Sequence, residues 1–159
     1  MRIVPLELAP TLVATAADRI WAAWWRDAGY PLAAITERLA KSLGPDAVPT
    51  SFVALAGDTF LGTVSLIASD LEERPGYTPW IAALWVEPDW RRRGIGAALV
   101  AEAAAWAADH GIETVHLAAE PYIAGWYERL GWHAIEHDVG GLTVLIRPTG
   151  ARHSPAPGE

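Results

Sequence analysis

The sequence predicts an α+β domain of three layers (α/β/α), with about four helices flanking a mixed β-sheet of about six to seven strands. Three observations carry that prediction. Apolar residues at helical spacing interleave with short β-rich runs in the order β-α-α-β-β-β-α-β-α-β-β. The uncharged run Trp80–Val86 reads as a central strand covered on both faces. The chain has 159 residues, 52% apolar and 19% charged, which suits one domain with a substantial core. A single domain is expected over residues 1–147, with a disordered C-terminal tail over 148–159 that contains Pro155 and Pro157.

Each element has a local cause. Met1–Leu8 alternates as a short strand, with Ile3, Leu6 and Leu8 apolar. Pro10 and Thr11 open a helix expected to reach about Ala28, in which Ile20, Trp21, Trp24 and Trp25 form one stripe. Gly29 stops it, and Pro31 starts a second helix through Leu43 to Gly44. Ser51–Ala56 and Phe60–Ala68 flank Gly57-Asp58-Thr59 as a hairpin, with Gly62 marking a bulge. Asp70–Gly76 is a polar loop before the Trp80–Val86 strand. A basic loop, Pro88–Gly94, then leads into an Ala-rich helix, Ile95–Asp109, ended by Gly111. Thr114–Ala118 is the next strand, and Tyr122–Leu130 a short helix closed by Gly131. His133–Glu136 and Leu142–Ile146 form the last strand pair, turned at Gly140-Gly141.

Composition excludes several function classes. Lys and Arg total 12 against 19 Asp and Glu, a net charge of −7, the wrong sign for non-specific nucleic-acid binding. The chain has no cysteine, so thiolate nucleophiles, disulfides and cysteine zinc sites are out. No apolar run reaches the roughly 18 residues of a membrane span, and Met1–Leu8 lacks the pattern of a secretion signal. The expectation is a soluble, cytoplasmic protein without nucleic-acid or membrane partners.

The chemistry concentrates in Val86-Glu87-Pro88-Asp89-Trp90-Arg91-Arg92-Arg93-Gly94-Ile95-Gly96-Ala97-Ala98-Leu99. A strand ends, a basic turn follows, and two glycines open a long helix. Unpaired N–H groups and partial positive charge at a helix start suit phosphate. Glycine lets a phosphate approach the backbone closely. A dinucleotide fingerprint is excluded because Leu99 stands where its third glycine belongs, and a phosphate-loop ATPase because no Gly-Lys-Ser/Thr follows. A solvated arginine turn and a pyrophosphate cradle of another kind remain.

Arg91-x-x-Gly94-x-Gly96 after a Val-x-Pro strand end resembles the signature of the GNAT superfamily of acetyl-CoA-dependent N-acetyltransferases. A second block, Glu120-Pro121-Tyr122-Ile123-Ala124-Gly125-Trp126-Tyr127-Glu128-Arg129-Leu130-Gly131-Trp132, is similar to that family's Tyr-Glu-x-Leu-Gly-Phe segment. The resemblance covers the chain to about Ile146 and implies a GNAT-like sheet. It implies acetyl-CoA as cosubstrate, with no metal, and direct transfer of its acetyl group to a primary amine. On that pattern Leu84, Trp85 and Val86 present backbone groups to the pantetheine arm where the strand splays. Arg91, Arg92, Arg93, Gly94, Ile95, Gly96 and Ala97 surround the pyrophosphate. Glu120 occupies a further cofactor position, where many relatives carry Asn. Tyr127 lies near the thioester sulfur, its alternative being a core aromatic between Trp126 and Trp132.

The chemistry itself demands these residue types. Amine attack on a thioester builds an oxyanion, which a fixed backbone N–H stabilises. A phenol, with an ordinary pKa near ~10, can donate to a departing thiolate whose thiol has a pKa near ~8.5. An alkyl ammonium, near ~10.4, attacks only after losing a proton. Many relatives carry a glutamate base near the start of the fourth strand, where this chain has Pro79-Trp80. Asp70 is the leading catalytic base, with Glu87, Glu120 or a water chain as alternatives.

His110, His116, His133 and His137 form no convincing metal set, so none is assigned. Of the nine tryptophans, Trp24, Trp25 and Trp80 are candidates to line an acceptor pocket and hold a cation. The frame for that pocket is the first two helices with Asp70, Glu72 and Glu73 against Arg74. Its character favours a cationic small-molecule or peptidic amine. A homodimer stays open. Two other readings stay open as well: a non-catalytic acyl-CoA sensor or scaffold of the same fold, and an interaction module built on the Trp-rich first helix.

Overall fold

The computed structural model describes residues 1–151. Seven strands form one sheet: β1 (Arg2–Pro5), β2 (Thr50–Ala56), β3 (Thr59–Ile67), β4 (Trp80–Val86), β5 (Thr114–Ala119), β6 (His133–Val139) and β7 (Leu142–Pro148). Their spatial order is β1-β2-β3-β4-β5-β7-β6, and every pairing is antiparallel except β4 with β5. That parallel junction requires a crossover, which helix α3 (Ile95–Asp109) supplies. Helices α1 (Val13–Ile20) and α2 (Leu32–Ala40) pack on one face of the sheet. Helix α3, with α4 (Pro121–Arg129), packs on the other, which gives the three layers expected.

The apolar runs explain the layering. In β2, Phe52 and Ala54 join the core under α3, while Val53 and Leu55 join the core under α1 and α2. A strand buried on both faces needs no polar alternation. Helix α3 buries Leu99, Val100, Ala103, Ala104 and Ala107, a stripe whose small residues let the helix lie close to the sheet.

The first helical region differs from the single helix expected over Pro10–Ala28. Two 3₁₀ turns, Leu6–Leu8 and Pro10–Leu12, precede α1, so β1 ends at Pro5. After Ile20 the backbone widens into a π turn over Trp21–Trp25, where the Arg26 N–H bonds to the Trp21 carbonyl at 2.8 Å. One extra residue per turn rotates the stripe. Ile20 is buried, Trp21 and Trp25 are half-buried, and Trp24 is left 48% exposed. Gly29, at φ +86°, ends the region as expected.

Gly62 has a steric cause. A Cβ there would lie 2.6 Å from the Trp85 carbonyl oxygen, so β3 and β4 approach this closely only over a glycine. The expected bulge is present beside it, since Gly62 pairs Ala54 while Phe60 pairs Leu55.

The Asp70–Gly76 loop is tied to β6. Arg74 donates to the Glu136 carboxylate from Nη2 at 2.8 Å and from Nε at 2.9 and 3.1 Å, and the Tyr77 hydroxyl donates to it at 2.9 Å. These two partners hold the Glu136 carboxyl below its usual pKa range.

The expected tail boundary is corrected in part. Strand β7 continues to Pro148, which pairs Thr114, and the Thr149 N–H bonds to the Glu113 carbonyl at 2.9 Å. These backbone groups are taken up by the neighbouring strand edge, so 148–149 belong to the fold. The Ala151 N–H bonds to Thr149 Oγ1 at 3.1 Å, and residues 152–159 of that expected tail lie outside the described residues.

Candidate active site

Strand β4 is interrupted where the site forms. Between Ser65↔Ala82 and Thr63↔Trp85 its ladder with β3 takes three steps on β4 against two on β3, and Ala83 absorbs the extra residue at φ +54°. The side-chain alternation slips accordingly. Ile81, Leu84 and Val86 face the α3 core, whereas Ala83 and Trp85 face the α1–α2 core. On its other edge β4 pairs with β5 only at Trp80↔His116. Beyond that point the two strands part, leaving backbone groups of β4 without a ladder partner and a cleft between the sheet halves.

Two cavities open on this splay. The smaller, about 350 Å³, is lined by Leu84, Trp85 and Val86 of β4, by Trp90, by the turn residues Arg91, Arg92 and Gly94, by Ile95, Gly96 and Ala97 of α3, and by Trp126 of α4. The strand end and the helix start expected to act together therefore do meet. Arg92 at φ +63° and Gly94 at φ +81° curl the turn, and no side chain caps α3. Its first N–H groups are left for an external acceptor.

Gly96 is informative. Its Cβ would make only ordinary contact, 3.5 Å, with the Trp126 ring, and its φ is not in the left-handed region. Nothing in the protein requires a glycine at this position.

The arginines divide. Arg91 donates from Nε to the Val86 carbonyl at 2.8 Å and lies 4.5 Å over the Trp85 ring. Arg92 lines the cavity. Arg93 does not; its guanidinium lies 4.9 Å over the ring of Trp90, which does line it. Trp126 was not singled out from sequence, although its place one residue before Tyr127 puts it on the adjoining face of α4.

The larger cavity, about 510 Å³, runs from α1 and α2 across the splay to α4. Tyr127, Asp70 and Glu120 all line it, and Leu84 lines both cavities. Glu120 stands at the N-cap position of α4 without a side-chain cap hydrogen bond, is exposed, and lines this cavity rather than the smaller one. Tyr127 is half-buried, edge-on to Trp126 at 4.8 Å and to Trp132 at 6.2 Å. Burial pushes its hydroxyl up to about 12, so it keeps its proton at neutral pH. Asp70 is solvent-accessible at the mouth, yet crowding by protein raises its carboxyl above the usual range.

Several expected residues lie elsewhere. Glu87 is engaged by Arg19 at 2.6 Å and is no free base. Glu72 and Glu73 do not line the cavity. Trp80 is fully buried behind the sheet, donating to the Tyr77 carbonyl at 2.6 Å, and is not a pocket residue. Trp24 and Trp25 do line the cavity. His116 stacks on Tyr77 at 5.0 Å with Nδ1 3.1 Å from the Pro79 carbonyl oxygen, a sheet histidine. Among the described residues no group of three or more His, Asp or Glu side chains is placed to hold a metal.

The Acetyltransferase (GNAT) family model matches residues 14–132. The chain belongs to that family. It superposes on a crystal structure of an aminoglycoside 6′-N-acetyltransferase complexed with coenzyme A, with a TM-score of 0.75 at 17% identity, covering 97% of this chain and 100% of that one. The aminoglycoside 6′-N-acetyltransferase from Enterococcus faecium gives 0.71 at 16% identity, covering 97% and 100%. A spermidine N-acetyltransferase chimera that includes Vibrio cholerae sequence gives 0.69 at 14%, covering 94% and 96%. No curated protein sequence matches the chain. These likenesses establish the GNAT fold. No helix among the described residues is long and apolar enough to cross a membrane.

Proposed function

We propose that this GNAT acetyltransferase moves an acetyl group from acetyl-CoA to a primary amine by direct attack. The observation that carries the reading is the smaller cavity, where the Gly94–Ala97 helix start, bare at Gly96 and uncapped, meets the edge of β4 that β5 leaves unpaired. Those groups fit a pyrophosphate followed by an amide-bearing arm. Arg92 adds charge, and Trp126 closes the far wall.

In the larger cavity each remaining residue has a task. Asp70, its basicity raised by crowding, takes a proton from the incoming ammonium before attack. The neutral amine then adds to the thioester carbonyl, and the adduct gives its second N–H proton to solvent as the C–S bond breaks and the thiolate leaves. Unpaired N–H groups of β4 stabilise the negative charge that develops on the carbonyl oxygen. Tyr127, at about 12, is too weak an acid to surrender its proton to a thiolate whose thiol lies near ~8.5; it donates a hydrogen bond and lowers the charge on the leaving group. The likeness to aminoglycoside and spermidine N-acetyltransferases supports nitrogen as the acceptor atom. Free-thiol release from acetyl-CoA, measured with and without an amine panel, tests the reading. Amine-dependent release supports it, and binding of acetyl-CoA with no release under any amine would favour the sensor.

A further inference from the structure

The cleft that receives the acceptor is walled mainly by hydrocarbon. Ile20, Ile35 and Leu39 come from α1 and α2, and Ile67, Ile81 and Leu117 from the sheet. Its serine hydroxyls are already engaged: Ser51 and Ser65 bond one another at 2.8 Å, and Ser42 bonds the Leu39 carbonyl at 2.6 Å. Three charged side chains line it, the carboxylates Asp70 and Glu120 and the guanidinium of Arg38, which lies 5.5 Å over the Trp25 ring. The acidic loop contributes no more than Asp70. Glu73 is turned toward Gly140, where an added Cβ would lie 3.2 Å from its Oε1.

We infer that the acceptor carries one cationic nitrogen on an apolar, ring-bearing body, with Trp24 and Trp25 gripping that body and Asp70 facing the nitrogen. The inference rests on reading the cavity as the acceptor half of an acetyl-transfer site. A polycation with three or more ammonium groups would exceed the two carboxylates and set a charge against apolar wall or Arg38, which is strongly unfavourable without a partner. A cavity of about 510 Å³ is the size of one small-molecule ligand. Trp24 reaches it with half its surface in solvent, held edge-on to Trp85 at 6.4 Å, and a ring laid against it removes apolar area from water.

The test compares 2-phenylethylamine and tryptamine with spermidine and kanamycin, by free-thiol release from acetyl-CoA. The expected result is a kcat/KM for 2-phenylethylamine about 10-fold or more above that for spermidine, from the apolar contacts alone. Trp24→Ala is expected to raise the 2-phenylethylamine KM about 5–10-fold, leaving the acetyl-CoA KM in place. Titration of CoA-saturated protein with 2-phenylethylamine, read by tryptophan fluorescence, is expected to saturate even where turnover is slow. Preference for spermidine or kanamycin, or no fluorescence change with the aryl amines, overturns the inference. So does faster release from octanoyl-CoA than from acetyl-CoA that Trp24→Ala abolishes, since the cavity would then house an acyl chain. Failure of acetyl-CoA to bind at all instead removes the acetyl-transfer reading beneath it.

Discussion

The two cavities meet at Leu84 yet are built on opposite plans. The smaller is made of backbone, glycine and arginine from one stretch, residues 84–97, with Trp126 added. The larger draws side chains from α1, α2, β2, β3, β4, β5 and α4 and beyond. The first presents main-chain donors whose placement follows from local conformation. The second presents an apolar surface whose shape depends on how separate elements pack. A GNAT domain can thus keep one end constant while the other adapts to an acceptor, because loops and helix faces vary more freely than a strand–turn–helix.

The largest effect expected lies where the cavities join. Tyr127→Phe keeps the ring and removes the donor, and losing a hydrogen bond to a developing charge should lower kcat roughly 10- to 10²-fold while leaving the acetyl-CoA KM unchanged. Equal loss in both parameters would make Tyr127 a packing residue. The alkaline limb adds a second check. A hydroxyl raised to about 12 opposes folding as pH rises from the ordinary value near ~10 toward 12. The wild type should lose stability there relative to Tyr127→Phe.

Next is Gly62→Ala, which places a Cβ against the Trp85 carbonyl and pushes β3 from β4. Overpacking of this kind costs about 1–3 kcal/mol, so a fall in Tm of several degrees is expected, with weaker acetyl-CoA binding because the strand edge shifts. An unchanged Tm would show that β4 yields without strain.

Asp70→Asn should lower turnover about 10-fold near neutral pH and, unlike most losses at a site, should not lower Tm. A carboxyl with a raised folded pKa contributes its stability at low pH and loses it as pH rises through the window above the ordinary Asp value. The amide removes that loss, so thermal unfolding across pH 3–7 should show a smaller decline with pH in the variant. A lower Tm at neutral pH would contradict the assignment of Asp70 as a crowded base.

The smallest effect concerns the ion pair of Arg74 with Glu136, which ties the Asp70–Gly76 loop to β6. Glu136 has a lowered pKa, so its stabilisation is present above the ordinary Glu value and is lost as pH falls through the folded one. Glu136→Gln should slightly lower Tm at pH 7, with the difference shrinking as pH falls below the ordinary Glu value. A large change in acceptor KM in that variant would tie the ion pair to the cleft.

Legibility in the sequence follows the same division. The Arg91–Ala97 turn could be read because a strand end, a glycine pair and a helix start are consecutive, and Tyr127 because its block is local too. The seven strands followed from periodicity and from Gly57, Gly111, Gly131 and the Gly140-Gly141 pair, all at positive φ. The Ala83 bulge left no such mark, since Ala82-Ala83 reads as ordinary strand. The π turn was hidden because Trp24 and Trp25 fit an α-helical stripe equally well. The larger cavity was legible at Trp24, Trp25, Asp70, Leu84, Glu120 and Tyr127 of its lining. Its Ser51–Ser65 pair and the position of Arg38 arise from the register of β2 on β3 and the packing of α2, which no short window contains.

The central claim is that the bare, uncapped start of α3 exists to receive acetyl-CoA. Calorimetric titration of acetyl-CoA into the wild type, Gly96→Ala and Gly96→Glu tests it most directly. The added methyl meets only ordinary contact with Trp126 and replaces a helical glycine, so Gly96→Ala should fold with a Tm at or above the wild type in the absence of ligand, and the Tm of Gly96→Glu is measured beside it. Binding should weaken for Ala, where the methyl stands between phosphate and backbone. It should be lost for Glu, by about 10²-fold or more, because a carboxylate then faces the phosphate at the positive end of the helix. Equal acetyl-CoA affinity in all three proteins would contradict the claim and leave Gly96 as an incidental residue of a solvated turn.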